Sequence, residues 1–207
     1  MPDTHHAYEH VKGIYVPNAI GVFALVAGTL LILLVRGARR TRPGQRSHAL
    51  GLEIVYAAVL ACVATLLVVV TFRTETPIDR AVAHPALRIK VVAAQWSWRL
   101  VYPGGLTLSA ISSWNPPVAL VPAGVEVEFA GISRDVIHGF WVPRLYFMRQ
   151  LLPGHVTRFD LRFGREGAYP GECSVFCGDQ HTQMHFMLRA VAPAAFQRWL
   201  ATGGREA

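Results

Sequence analysis

Charge is scarce in this chain, and its absence is concentrated. Only 16% of the 207 residues are Asp, Glu, Lys or Arg, against about 25% in an ordinary soluble domain. Gly13 to Val35 holds no charged residue in 23 positions, and Ile54 to Phe72 holds none in 19. Cysteine is scarce as well, with three in the chain. No Cys-x-x-Cys-His sequence occurs, which excludes a c-type haem attached to this chain. The first ten residues lack a basic n-region, and no small-residue cleavage site separates the two apolar runs, so a cleaved signal peptide is not expected. Internal repeats and low-complexity tracts are missing too. The formal charge of +7 does not point to nucleic acid, because five arginines between Arg36 and Arg46 supply much of it. From Arg73 onward 14 Lys and Arg face 10 Asp and Glu, leaving +4, and no basic stripe with interleaved aromatics appears.

What is present begins with the two apolar runs. At about 1.5 Å per residue each can cross a hydrocarbon core of ~30 Å, the second with little to spare. Both are apolar all round instead of on one face, which suits lipid better than the core of a soluble domain. The expected helices are about 13–35 and 53–72, joined by the loop 36–52 and preceded by a tail, 1–12. The loop carries Arg36, Arg39, Arg40, Arg42 and Arg46 with no acid before Glu53, whereas the tail holds Asp3, Glu9 and Lys12. Short basic loops stay in the cytoplasm. The pair therefore reads as a two-helix transmembrane hairpin with both termini outside the cytoplasm and membrane lipid as its first partner.

A linker is expected over 74–86, punctuated by Pro77 and Pro85. Beyond it, over 87–207, come short β-prone segments: Leu87 to Ala94, Arg99 to Tyr102, Ala119 to Val121, Val125 to Phe129, Gly139 to Val142, Val156 to Phe163 and Phe186 to Val191. Gly, Pro, Asn or Asp bound them, the pattern of an all-β sandwich or barrel. Pro193 opens a short terminal helix, Ala194 to Ala201. Cys62 falls in the middle of the second apolar run, where it reads as a small buried hydrophobe.

The chemistry is concentrated in Cys173-Ser-Val-Phe-Cys177-Gly-Asp-Gln-His181-Thr-Gln-Met184, which holds two thiols, an imidazole and a thioether in twelve residues. Upstream, Asp135-Val-Ile-His138 offers a second imidazole. Soft sulfur with imidazole nitrogen selects copper, whereas hard cations want carboxylates. A mononuclear blue-copper site uses one Cys, two His and a weak axial Met, so the additional thiolate is best used to bridge a second ion. A structural Cys2His2 zinc site remains open, although it leaves Met184 without a role. So does an i,i+4 disulfide, which an oxidising compartment allows.

The run from Val125 to Val191 resembles the CuA domain of subunit II of the haem-copper oxidases, above all cytochrome c oxidase. The matching residues are Asp135-Val-Ile-His138, Val142-Pro143, Pro153-Gly154, Gly171-Glu-Cys173, and the spacing of Cys173, Cys177, His181 and Met184. The likeness extends to two preceding membrane helices and to Gln95-Trp96-Ser97-Trp98. It implies a cupredoxin-like Greek-key barrel and a binuclear copper centre. Cys173 and Cys177 would bridge, His138 and His181 would each terminate one copper, and Met184 and the Val175 backbone carbonyl would be weak axial ligands. Trp96 and Trp98, two residues apart, read as lying on the same side of a strand, and Trp98 reads as a core residue; the resemblance implies electron entry at Trp96, with partners in cytochrome c or a similar donor and in a catalytic haem-copper subunit I, among other oxidase subunits. The oxygen-reducing site would lie on that other chain, and the location would be a bacterial-type inner membrane.

Two further residues have two readings each. Asp135 either orients an imidazole or simply forms a turn. Glu53 either complements the helix dipole at the start of the second helix or, as the family implies, marks the entrance to a proton channel. The chain also departs from the family. Val175 stands where most cytochrome c oxidases have a Glu that joins an interface magnesium, so the resemblance does not carry a magnesium site over. The mild net positive charge of the outer domain does not match the acidic face that the family presents to a basic donor. A related reductase, such as a nitric oxide reductase, and a membrane-anchored copper-delivery module therefore stand as alternatives to an oxygen-reducing complex.

Overall fold

The computed structural model describes residues 4–38, 50–79, 85–111 and 116–205. Two units emerge, one helical and one mainly β. In the helical unit, α1 spans Thr4–Ala38 and α2 spans Leu50–Asp79. Their apolar stretches, Ala7–Ile32 and Ile54–Thr74, are each long enough to cross a membrane. Both faces expose large apolar side chains, among them Phe23, Leu31, Ile54 and Phe72, as lipid would require and water would not. The Tyr15 hydroxyl joins the helices by hydrogen bonds to the Leu67 carbonyl and the Thr71 hydroxyl.

Both helices outrun the apolar segments expected from the sequence. The loss of apolar character marks the edge of the lipid-facing run, not the end of backbone bonding. Arg73 to Thr76 contains no helix breaker, and a proline in a final turn removes a single backbone bond, so α2 continues through Pro77 to Asp79. The linker expected from Thr74 therefore starts later. The arginines Arg39, Arg40, Arg42 and Arg46 lie outside the described residues, as does the side chain of Glu53.

The second unit is a sandwich of two five-stranded sheets. The strands are β1 (Leu87–Ala94), β2 (Ser97–Val101), β3 (Thr107–Ile111), β4 (Val118–Pro122), β5 (Glu126–Ser133), β6 (His138–Val142), β7 (Phe147–Leu151), β8 (Thr157–Arg162), β9 (Gly167–Cys173) and β10 (His185–Val191). One sheet runs β3-β2-β1-β5-β8 and the other β4-β10-β9-β6-β7. Parallel pairing of β1 with β5 and of β10 with β4 breaks an otherwise antiparallel arrangement, which requires the chain to cross between sheets. The helix α3 (Pro193–Ala201) closes the domain by burying Phe196 and Trp199.

Period-two alternation explains why β1 lies where it does: Leu87, Ile89 and Val91 point inward and Arg88 and Lys90 outward. The core between the sheets is aromatic. Phe140 stacks on Phe186 with centroids 4.4 Å apart, Phe129 stacks on Phe159 at 5.6 Å, and Trp98 meets both Phe140 and Phe186 edge-on. Each such ring removes roughly 150–250 Å² of surface from water. On the outer face, Glu128 is almost fully buried between Arg88 and Arg158, with bonds of 2.6 Å and 2.7 Å.

Three strands escape the sequence pattern. The segment β9 reads Gly-Ala-Tyr-Pro-Gly-Glu-Cys, a composition that argues against an interior strand. It is tolerated because β6 pairs with β9 only at Cys173 and Glu172, so Pro170 sits beyond that pairing and needs no donor on that side. The strands β3 and β7 each follow a short 3-10 turn, and the sequence reading did not anticipate either.

Candidate metal centre

Three pieces of backbone converge at one end of the sandwich. His138 opens β6, Cys173 ends β9, and a compact loop carries Cys177, His181 and Met184 back into β10. The loop is held by its own turns, with the His181 amide donating to the Gly178 carbonyl and the Met184 amide to the His181 carbonyl. It is tied to both strands: the Ser174 amide donates to the Gly139 carbonyl at 3.1 Å and the Cys173 amide to the Met184 carbonyl at 3.0 Å. Gly139 permits this approach. A Cβ there would lie 2.2 Å from Ser174 Oγ and 3.0 Å from the Val175 backbone nitrogen.

The donor atoms lie close together. Cys173 Sγ is 3.7 Å from Cys177 Sγ, 3.7 Å from His138 Nδ1 and 3.2 Å from the Val175 carbonyl oxygen. Cys177 Sγ is 3.6 Å from His181 Nδ1 and 3.8 Å from Met184 Sδ. A disulfide requires about 2.05 Å between sulfurs, so the two cysteines stand apart as free thiols. Spacings of 3.6–3.8 Å match those between neighbouring ligands of an ion bound through bonds of roughly 2.0–2.3 Å. His138, Cys173, Cys177 and Met184 are all buried. His138, Cys173 and Cys177 also form a group able to hold a metal, with all ligand atoms within 4.8 Å of one another. The thioether and imidazoles suit a soft or borderline ion.

Asp135 supplies orientation. Its carboxylate accepts from the Gln95 amide at 2.6 Å and the Val136 amide at 2.7 Å, and pairs with His138 Nε2 at 2.9 Å. A carboxylate partner requires the proton on Nε2, which leaves the Nδ1 lone pair facing the sulfurs. Burial works against the Asp135 anion, but the Gln95 amide, His138 and the Val136 amide outweigh it and hold its pKa below the ordinary value. Burial likewise works against a charged His138, and Cys173 and Asp135 overcome it, raising the imidazole pKa. For Cys173, burial disfavours the thiolate, yet His138 and backbone donors bring its pKa down to about 6. Burial and then the neighbouring Cys173 charge push Cys177 up to about 12.

The two tryptophans do not share a strand face, as two-residue spacing in a strand would have them do. Trp98 lies inside β2, fully buried, and its indole N–H donates to the Met184 carbonyl at 3.1 Å. Trp96 sits with Gln95 in the turn between β1 and β2, half-buried. Its ring covers Gly178, where φ is +121° and an added Cβ would lie 3.0 Å from Trp96 Cζ2. Phe176, between the two cysteines, is 79% exposed, so the ligand loop presents an apolar side chain to the outside. Sequence reading also missed the contribution of Gly139 and Gly178, whose bare α-carbons let the ligand loop pack. Their signal was only glycine beside a ligand.

Residues 115–191 match the family model described as "Cytochrome C oxidase subunit II, periplasmic domain". A "Probable cytochrome c oxidase subunit 2" of Rickettsia felis is 28% identical over 224 residues, an alignment covering all of this chain and 70% of the relative. One of the same description from Mycobacterium leprae is 38% identical over 90 residues, covering 41% of this chain and 26% of the relative. The crystal structure of the periplasmic domain of subunit II of cytochrome oxidase (CoxB) of Bradyrhizobium japonicum superposes with a TM-score of 0.56 at 25% identity, covering 59% of this chain and 96% of that one. The β unit thus has the cupredoxin-like fold of that periplasmic domain.

Proposed function

We propose that this chain, whose residues 115–191 match the family model of the cytochrome c oxidase subunit II periplasmic domain, is the electron-entry subunit of a respiratory haem-copper oxidase, holding a binuclear copper centre. The observation that carries the reading is the convergence of two unlinked buried sulfurs with two imidazole Nδ1 atoms, a thioether and a carbonyl at 3.2–3.8 Å. Cys173, Cys177, His138, His181, Met184 and the Val175 carbonyl would together hold the copper ions. When bound, the copper pair supplies a site that takes up and releases one electron with little change in bond lengths.

The protein's part is to hold that geometry and keep water away. The aromatic core behind the site, with Trp98 donating to the Met184 carbonyl, makes the ligand frame rigid and lowers the reorganisation that each transfer requires. Asp135 fixes the His138 ring. Trp96, lying over Gly178 beside Cys177, is the proposed entry point for electrons from cytochrome c or a similar donor. The acceptor is a haem centre of a catalytic subunit, where oxygen is reduced to water coupled to proton translocation. Both termini and the β unit are proposed to lie outside the cytoplasm, anchored in a bacterial-type inner membrane by α1 and α2. Glu53, near the start of α2, is proposed as an entrance to a proton channel of the catalytic subunit. Val175 cannot offer the carboxylate that an interface magnesium would need, so no such ion is included.

Metal analysis of the full chain, produced with copper available and purified in detergent, tests the reading. Two coppers per chain are expected, falling to one or none in Cys173→Ser and Cys177→Ser. One zinc per chain, retained in competition with copper, would refute it.

A further inference from the structure

The turn that carries Trp96 is bound to both ligand-bearing segments through a single residue. The Gln95 side chain donates from Nε2 to the Cys177 carbonyl at 2.7 Å. Its backbone amide donates to Asp135 Oδ2 at 2.6 Å, and the same carboxylate holds His138 Nε2 at 2.9 Å. Gln95 therefore links one thiol-bearing loop to one imidazole-bearing loop, 82 residues away and 40 residues away in sequence. Trp96 has no comparable polar anchor: its buried indole nitrogen lacks a hydrogen-bond partner among the described residues. Its ring is placed by contact with Gly178, and a Cβ there would lie 3.1 Å from Gln95 Nε2 as well as 3.0 Å from the ring.

We propose that Gln95 is a positioning residue, a clip whose amide locks the Trp96 turn onto the ligand loop and so sets the contact through which electrons reach the metal site. The amide is suited to this because its N–H group meets a carbonyl that the loop's own turns leave free: the His181 and Met184 amides take the Gly178 and His181 carbonyls instead. Without the side-chain bond the Cys177 carbonyl loses its donor, and the loop can separate from the turn while the sulfur ligands remain in the sequence beside it. The functional half of the proposal rests on the electron-entry reading; the structural half does not.

The test uses the full chain in detergent with Gln95→Met, which keeps length and the backbone amide but removes the donor, and Gln95→Glu, which presents an anion to the carbonyl. In metal-free protein, hydrogen exchange at His181, Gln183 and Met184 is expected to quicken about fivefold in Gln95→Met, the factor for loss of one net hydrogen bond, and further in Gln95→Glu, with β5 and β8 unchanged. In copper-loaded protein, reduction by cytochrome c is expected to slow about tenfold while the copper resonance spectrum stays that of the unaltered chain. Unchanged exchange in both variants overturns the clip, and an unchanged rate of reduction overturns its part in electron entry. If the unaltered chain shows no two-copper signal, the electron-entry reading fails, and the exchange measurement still decides whether Gln95 holds the loop. Should Gln95→Glu not fold, Gln95→Met alone decides.

Discussion

Asp135 should be the polar residue whose loss damages the metal site most without removing a ligand. Its carboxylate accepts two backbone amides and pairs with the His138 imidazole, all within 2.9 Å. Asp135→Asn keeps the size of the side chain but loses the charge and replaces one acceptor oxygen by a donor. The NH2 group cannot accept from the Gln95 amide and, if turned the other way, cannot accept from the imidazole or the Val136 amide. At least one bond to an ionised group is therefore lost, about 1.5–3 kcal/mol before relaxation. A partner that orients a metal-bound imidazole typically accounts for 10–100-fold in metal affinity, or about 1.4–2.7 kcal/mol, so the two routes agree in size. Competition for copper between the full chain and a chelator of known strength measures the loss. A fall of 10–100-fold in Asp135→Asn, and a larger one in Asp135→Ala, is expected. Affinity within a factor of two of the unaltered chain would show that Asp135 only forms the turn before β6.

The remaining expectations follow from other residues. Trp96→Ala should slow reduction by the donor at least tenfold with the copper spectrum intact, measured by stopped flow; an unchanged rate in folded protein would leave Trp96 as packing. Glu53→Gln in the assembled complex should lower turnover and proton uptake while the copper spectrum stays normal, and full proton uptake would refute the channel role. Glu128 has its pKa lowered: burial opposes the anion, but Arg88 and Arg158 outweigh that cost. Its contribution is therefore present above the ordinary carboxylate pKa and lost as pH falls through the lowered one. Chemical denaturation should show Glu128→Gln clearly less stable at pH 7, with the difference shrinking below about pH 4; a difference independent of pH would contradict this.

How much of this could be read from the sequence depends on range. Cys173, Cys177, His181 and Met184 lie so close along the chain that any compact loop brings them near one another, and the charge-free runs declare the two helices. The strand β1 was legible to the residue because its alternation is strong. The ends of α1 and α2 were not, since apolar composition reports the lipid-facing run and says nothing about where backbone bonding stops. The strand β9 was hidden by Pro170 and two glycines, which its neighbours tolerate for reasons visible only in the register. Trp96 was misplaced onto a strand because a two-residue spacing looks the same whether a turn or a strand bears the first residue. The bond from Gln95 to the Cys177 carbonyl has no local signature at all, since it joins segments that meet only when both sheets have formed.

In the proposed centre one electron is shared by two copper ions held by Cys173, Cys177, His138 and His181. Electron paramagnetic resonance of the full chain, loaded with copper and poised one electron short of full reduction, tests it most directly. An unpaired electron coupled equally to two copper nuclei is expected, with Met184→Leu altering the spectrum but keeping the two-nucleus pattern. Coupling to a single copper nucleus would rule out a shared two-copper centre.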